Sequence, residues 1–133
     1  TVLEPLTGDI AAVAAALDRL TQATGTRIDA ALDAGRAELT GSARRAGNNP
    51  VLILLTDGEP TGTTPEAVLA AAERARTDGL LVFTIGLGAD VDAALLEAVA
   101  SRPDWYYPAP DARDLAAIYG RIAYAIPCRG MWP

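Results

Sequence analysis

Asp57 stands near the end of VLILLTDGEP, residues 51 to 60, where five uninterrupted aliphatic residues run into a threonine, a carboxylate and a glycine. A carboxylate at the tip of an apolar strand has two uses. Asp-Gly turns the chain, with Thr56 and Asp57 capping the loop by side-chain hydrogen bonds, or the Asp57 oxygens are offered to a hard cation. Thr26 poses a similar choice. With Asp29 three residues on it forms a capping-box pattern in which Asp replaces the usual Glu or Gln, and its hydroxyl is also a hard oxygen donor. Capping and ligation are compatible. Thr24 and Glu59 lie close in sequence to these positions and are the candidates to support them; solvated surface residues are the plainer reading. GLGAD, residues 86 to 90, lacks the full glycine fingerprint of a dinucleotide site and reads as a tight turn.

Composition narrows the chemistry further. The chain has no histidine, which removes Ser-His or Cys-His activation of a nucleophile and every imidazole metal site. Oxygen ligands remain, so hard cations fit and zinc does not; catalysis is the weakest reading, because no nucleophile–base pair is visible. The net charge is −6 with a pI near 4.5, and the arginines form no stripe, so the footprint of a nucleic-acid binder is missing. No apolar run approaches the roughly 20 residues of a membrane span and no signal-like segment opens the chain. Any anchoring or targeting information is expected to lie outside this segment. At 133 residues, half of them apolar, the chain is the size of one domain with a single core.

Two periods alternate along the chain and place these candidates. Ile10, Val13, Leu17 and Leu20 recur at helical spacing after Thr7-Gly8-Asp9, as do Ile28, Ala31, Leu32, Gly35 and Leu39 after Thr26. The polar stretch TGSARRAGNNP, residues 40 to 50, reads as a loop before a strand over Val51 to Leu55. A third helix starts at Thr64-Pro65 and stops at Gly79. LLVFTIGLG, residues 80 to 88, is a second apolar strand, and like the first it is expected to be buried on both faces. A helix carrying Leu95, Leu96 and Val99, a short strand WYY at 105 to 107 and a last helix with Leu115, Ile118, Ile122 and Ile126 on one side follow. The WYY triplet is assigned to structure, since β-propensity and burial explain it without a recognition role. Apolar strands alternating with amphipathic helices predict an α/β, doubly wound, mostly parallel sheet flanked by helices. Ligands collect outside the carboxyl ends of such strands, which is where Asp57 and the loop LGAD at 87 to 90 fall.

PLTGD at 5 to 9, TGTRIDAAL at 24 to 32, VLILLTDGEP at 51 to 60, LLVFTIGLGADVDAALLEAVAS at 80 to 101 and YYPAPDARDLAAIYGRIA at 106 to 123 together resemble a von Willebrand factor A-type domain. The resemblance implies that family's Rossmann-like fold and a metal-ion-dependent adhesion site assembled from three loops at the top of the sheet, usually holding magnesium. Carried over by position, Thr26 matches the threonine of the second loop and Asp57 the aspartate of the third. The first loop, Asp-x-Ser-x-Ser after the first central strand, has no counterpart: no Asp-x-Ser occurs in these 133 residues. Residues 1–126 are therefore expected to be the carboxyl-terminal two-thirds of such a domain, an incomplete sheet, with 127–133 an irregular tail. The central strand expected beside Val51 to Leu55 is then unresolved, cleaved or on another chain.

The resemblance implies a module that binds another protein, engaging an acidic partner residue through Mg2+ (or Ca2+ or Mn2+) provided the upstream loop is present. The alternatives are a structural subunit of a larger assembly whose metal site is lost, and a cytoplasmic adaptor of an ATPase chaperone. Cys128, the single cysteine, stands just past the last helix, where exported A-type domains often carry a cysteine that pairs near the opposite terminus. That implies a disulfide and an extracytoplasmic setting, with the whole protein secreted or held at the cell surface.

Overall fold

A computed structural model describes residues 2–21, 24–45 and 47–127; Cys128 and the rest of the tail lie outside the described residues. The elements follow the alternation read from the sequence: α1 (Ile10–Asp18), α2 (Ile28–Thr40), β1 (Val51–Thr56), α3 (Pro65–Thr77), β2 (Leu81–Leu87), α4 (Ala93–Val99), β3 (Tyr106–Ala109) and α5 (Leu115–Ala125). The three strands form one parallel sheet in the order β1-β2-β3, with Thr56 opposite Gly86 at the carboxyl end. No described helix is long and apolar enough to cross a membrane.

Local chemistry explains the ends of these elements. The Asp9 carboxylate accepts the N–H groups of Ala11 and Ala12 at 2.9 and 3.2 Å and starts α1. The Thr64 hydroxyl accepts the Ala67 N–H at 3.3 Å, and Pro65 takes the first helical position of α3, where a missing N–H costs nothing. At the other end of α3 the capping residue is Asp78 rather than Gly79; Gly79 follows it at φ +81°, where its N–H reaches Arg76 O and the Leu80 N–H reaches Ala75 O. This is the Schellman closure, and it needs a residue without a Cβ penalty at that left-handed position.

The core lies on both faces of the sheet. On one face α2, α3 and α4 cover Leu52, Leu54 and Val82, with Leu32, Val68 and Leu96 fully buried between them. The Thr84 hydroxyl, buried in that layer, donates to Leu96 O at 2.9 Å, so its polar atom is satisfied. On the other face α5 brings Ile118 and Ile122 against Phe83, Ile85 and Tyr107. Trp105 belongs to this layer too. It sits in a short 3-10 turn, Pro103–Trp105, rather than in the third strand, because its ring stacks on Phe83 at 4.2 Å. Tyr106 and Tyr107 do form the strand, and Trp105 and Tyr107 are buried.

The expectation of two-sided burial holds for β2 and fails for β1. Every β2 residue from Val82 to Gly86 is buried, whereas Ile53 and Leu55 of β1 are 36% and 42% exposed. α5 lies over β2 and β3 and leaves the outer face of β1 open, and among the described residues no strand pairs with the second edge of β1. α1 likewise keeps Ile10, Val13 and Leu17 exposed.

Candidate functional site

The carboxyl end of β1 is shaped by a threonine that holds its own turn. Thr56 is buried, and its hydroxyl donates to Gly58 O at 3.1 Å while lying 3.4 Å from the Gly58 N–H. The turn closes on Thr56, and Asp57 is left exposed at its crest. The Asp57 carboxylate is not what folds the turn.

The loop before α2 is fastened beside this turn from a distance in sequence. The Thr26 N–H donates to Thr61 Oγ1 at 2.7 Å, and the Thr61 N–H donates to Thr26 O at 2.9 Å. This reciprocal pair ties residues 35 apart. Gly25 makes the approach possible: its φ of +91° is left-handed, and a Cβ there would stand 3.2 Å from Thr61 Oγ1. The result sets the half-buried Thr26 against the Asp57 turn, its hydroxyl 3.7 Å from where a Cβ on Gly58 would be. Thr26 and the Asp57 turn are thus brought together, while Thr24 and Glu59 are exposed on the flanks of the same two loops.

The capping-box pattern is not realised. Arg27 is the residue at the N-cap of α2 and makes no side-chain capping bond. Asp29 instead takes a two-pronged ion pair from Arg27, Nε and Nη2 donating at 2.9 and 2.8 Å. The paired guanidinium of Arg27, with help from Ala30 N–H and the Thr63 hydroxyl, holds the Asp29 carboxyl well below the usual carboxylate range. A planar fork two residues away outcompetes a single backbone N–H for the same oxygens, and the Thr26 hydroxyl is not used for capping. Thr61, which fastens the two loops, and Thr63, whose hydroxyl reaches Asp29, have one signal in the sequence, the hydroxyl-rich run TGTT at 61 to 64.

At the end of β2 the loop after Gly86 is a tight turn, as expected. Gly88 has φ +82° and its N–H donates to Ala109 O at 2.8 Å. A Cβ on Gly86 would meet Val91, Leu96 and the Tyr106 hydroxyl at 3.0 to 3.2 Å, so close packing favours glycine there.

A carboxylate at Asp57 and a hydroxyl at Thr26 are donors of the kind a hard cation takes, but two donors fall well short of six. Among the described residues no three or more of Asp, Glu, His and Cys stand together as a metal site.

Comparison with known proteins places this architecture. The model of the von Willebrand factor type A domain matches residues 3–121. The chain belongs to this family. Mouse (Mus musculus) matrilin-2 is 36% identical over 81 residues, 60% of this chain and 8% of matrilin-2. Mouse matrilin-1 is 41% identical over 63 residues, 47% of this chain and 12% of matrilin-1. The A domain also resembles solved structures at the level of fold. Proximal thread matrix protein 1 from the mussel byssus, with a zinc-occupied MIDAS motif, gives a TM-score of 0.72 at 21% identity over 89% of this chain and 31% of that one. The pilus adhesin SpaC from Lactobacillus rhamnosus GG gives 0.74 at 23% identity over 89% and 21%. Manganese-loaded Plasmodium vivax TRAP gives 0.62 at 23% over 82% and 44%. The chain spans well under two thirds of each of these proteins.

Proposed function

We propose that this A domain is a protein-binding module, not an enzyme, and that it engages an acidic residue of its partner through a divalent cation. The observation that carries the proposal is the seating of the Thr26 hydroxyl against the Asp57 turn by the Thr61 bridge, since the turn folds without the Asp57 carboxylate and leaves it available. Thr26 and Asp57 would hold the ion, with Thr24 and Glu59 flanking them. The remaining oxygen donors come from outside these 133 residues, from a segment that also supplies a strand beside β1, making residues 1–126 the carboxyl-terminal two-thirds of the complete domain. Bound there, Mg2+, Ca2+ or Mn2+ supplies an electrophilic centre that a partner carboxylate completes, because a site with few carboxylates leaves the cation's charge largely unneutralised. Asp57 contributes the charge and Thr26 orients from the neighbouring loop.

Support comes from related folds with manganese and with zinc in the MIDAS motif, in TRAP and in the byssus protein. An extracytoplasmic setting is supported by a pilus adhesin and a byssal thread protein among the similar structures, and it assigns Cys128 to a disulfide.

The test uses the longer natural protein on an array of defined peptides in which each Asp or Glu is paired with its Asn or Gln counterpart. Binding should require the carboxylate form, vanish with EDTA, return with Mg2+, and be abolished by Asp57→Ala with little change in the unfolding midpoint. Thr26→Ala should weaken it less, a neutral hydroxyl giving less to a hard cation than a carboxylate. If Asp57→Ala unfolds the domain and EDTA leaves binding unchanged, Asp57 is a turn residue and the module binds by shape alone.

A further inference from the structure

The amino end of β1, opposite Asp57, opens into a cavity of about 430 Å³ lined by Arg44, Arg45, Asn48, Leu39 and Val51 among others. That volume lies within the range of small-molecule pockets. A six-residue strand separates it from Asp57 by about 20 Å, so it is a different site from the one proposed above.

The charge at this cavity is unlike that of the rest of the molecule. All eleven basic residues are arginines. Of the ten that are described, seven stand in ion pairs, Arg19, Arg27, Arg36, Arg74, Arg76, Arg102 and Arg113. Arg121 lies over the Tyr107 ring at 4.9 Å. Arg44 and Arg45 have neither kind of partner among the described residues, although the chain carries a surplus of carboxylates. The acidic groups on the neighbouring segments are engaged: Glu38 accepts the Leu6 N–H at 3.3 Å and Asp9 caps α1. The exposed Arg45 guanidinium lies beside Gly8 at the cavity wall, 3.3 Å from where a Cβ would stand. Asn48 adds an amide, and Leu39 and Val51 add apolar wall.

We infer that this cavity binds a small organic anion whose doubly charged phosphate-type head meets Arg44 and Arg45 and whose apolar body rests on Leu39 and Val51. Guanidinium forks match a tetrahedral oxyanion through paired N–H donors, and two unneutralised charges lining one cavity favour a dianion over a monoanion. The apolar wall selects an ester over the free ion.

The test is calorimetric titration of the longer natural protein in EDTA, which keeps metal at Asp57 out of the readout. The probes are phenyl phosphate, inorganic phosphate and benzoate at constant ionic strength. Phenyl phosphate should bind saturably, at least tenfold tighter than inorganic phosphate, which lacks the apolar body, or benzoate, which lacks the second charge. Arg44→Gln and Arg45→Gln should each weaken it several-fold and the double variant at least tenfold. Arg102→Gln, whose side chain is paired with Asp104 elsewhere, should leave it unchanged. Absence of saturable binding, equal affinity for benzoate, or undiminished binding by the double variant would overturn the assignment.

Discussion

β1 and β2 are close relatives in composition, VLILLT and LVFTIGL, yet the first alternates buried and open positions while the second is buried from Val82 to Gly86. β2 has a strand on each side and helices on both faces, so Phe83 and Val82 are equally inaccessible. β1 has one neighbouring strand and one helical layer, so Leu52 and Leu54 are buried and Ile53 and Leu55 are not. An apolar strand states a requirement for cover; the elements that meet it are encoded elsewhere. An exposed edge along such a strand is an aggregation liability, and the open side of β1 is where the proposed additional segment belongs.

The largest effect that sharpens this contrast is expected from paired side-chain truncations in the protein carrying the proposed additional segment. Phe83→Ala, which empties a fully buried stacked ring site, should cost about 3–5 kcal/mol in urea unfolding. Ile53→Ala should cost about 2–5 kcal/mol if the outer face is covered there. A loss below about 0.5 kcal/mol, the range of an ordinary surface change, would mean that Ile53 is true surface.

A smaller effect separates two helical glycines. A Cβ on Gly35 would stand 2.6 Å from Leu52 Cδ1 in the covered layer, so Gly35→Ala should destabilise by about 1–3 kcal/mol through overpacking. Gly120 on α5 has nothing within 4 Å, and Gly120→Ala should stabilise by up to about 1 kcal/mol through helix propensity. Thermal midpoints moving in opposite directions would bear this out.

The smallest effect concerns pH. Asp29 has its folded pKa lowered by Arg27 relative to an unfolded value of about 4. Its stabilisation is therefore present above about pH 4 and is lost as pH falls below it. Wild type should lose stability more steeply than Asp29→Asn between about pH 4 and pH 2, and identical slopes would mean the pair contributes nothing.

What was legible in the sequence was local. The apolar runs of β1 and β2, the Asp9 and Thr64-Pro65 helix starts and the Ile118/Ile122 face of α5 are set by neighbours a few residues away, and the structure has them as read. Trp105 left the third strand because a tertiary partner, Phe83, claimed its ring. The exposure of Ile53 and Leu55 was hidden for the same reason, since cover is a property of the elements opposite. At the site, the carboxyl-edge position of Asp57 followed from strand direction. The Thr61 bridge that seats Thr26 spans 35 residues and leaves no periodic trace, and the choice of Asp29 between capping and Arg27 depended on side-chain geometry.

Fold and function meet in one proposition, that a single segment outside these residues completes both the open edge of β1 and the ligand set around Asp57. Hydrogen–deuterium exchange over residues 51–56 tests it most directly, comparing a longer protein that carries the proposed segment with the chain from Thr1 to Pro133. The expected result is exchange in the longer protein as slow as at β2, with the shorter chain insoluble or exchanging rapidly along β1. Equal, strong protection of β1 in both, with a cooperative thermal transition of the shorter chain, would contradict it.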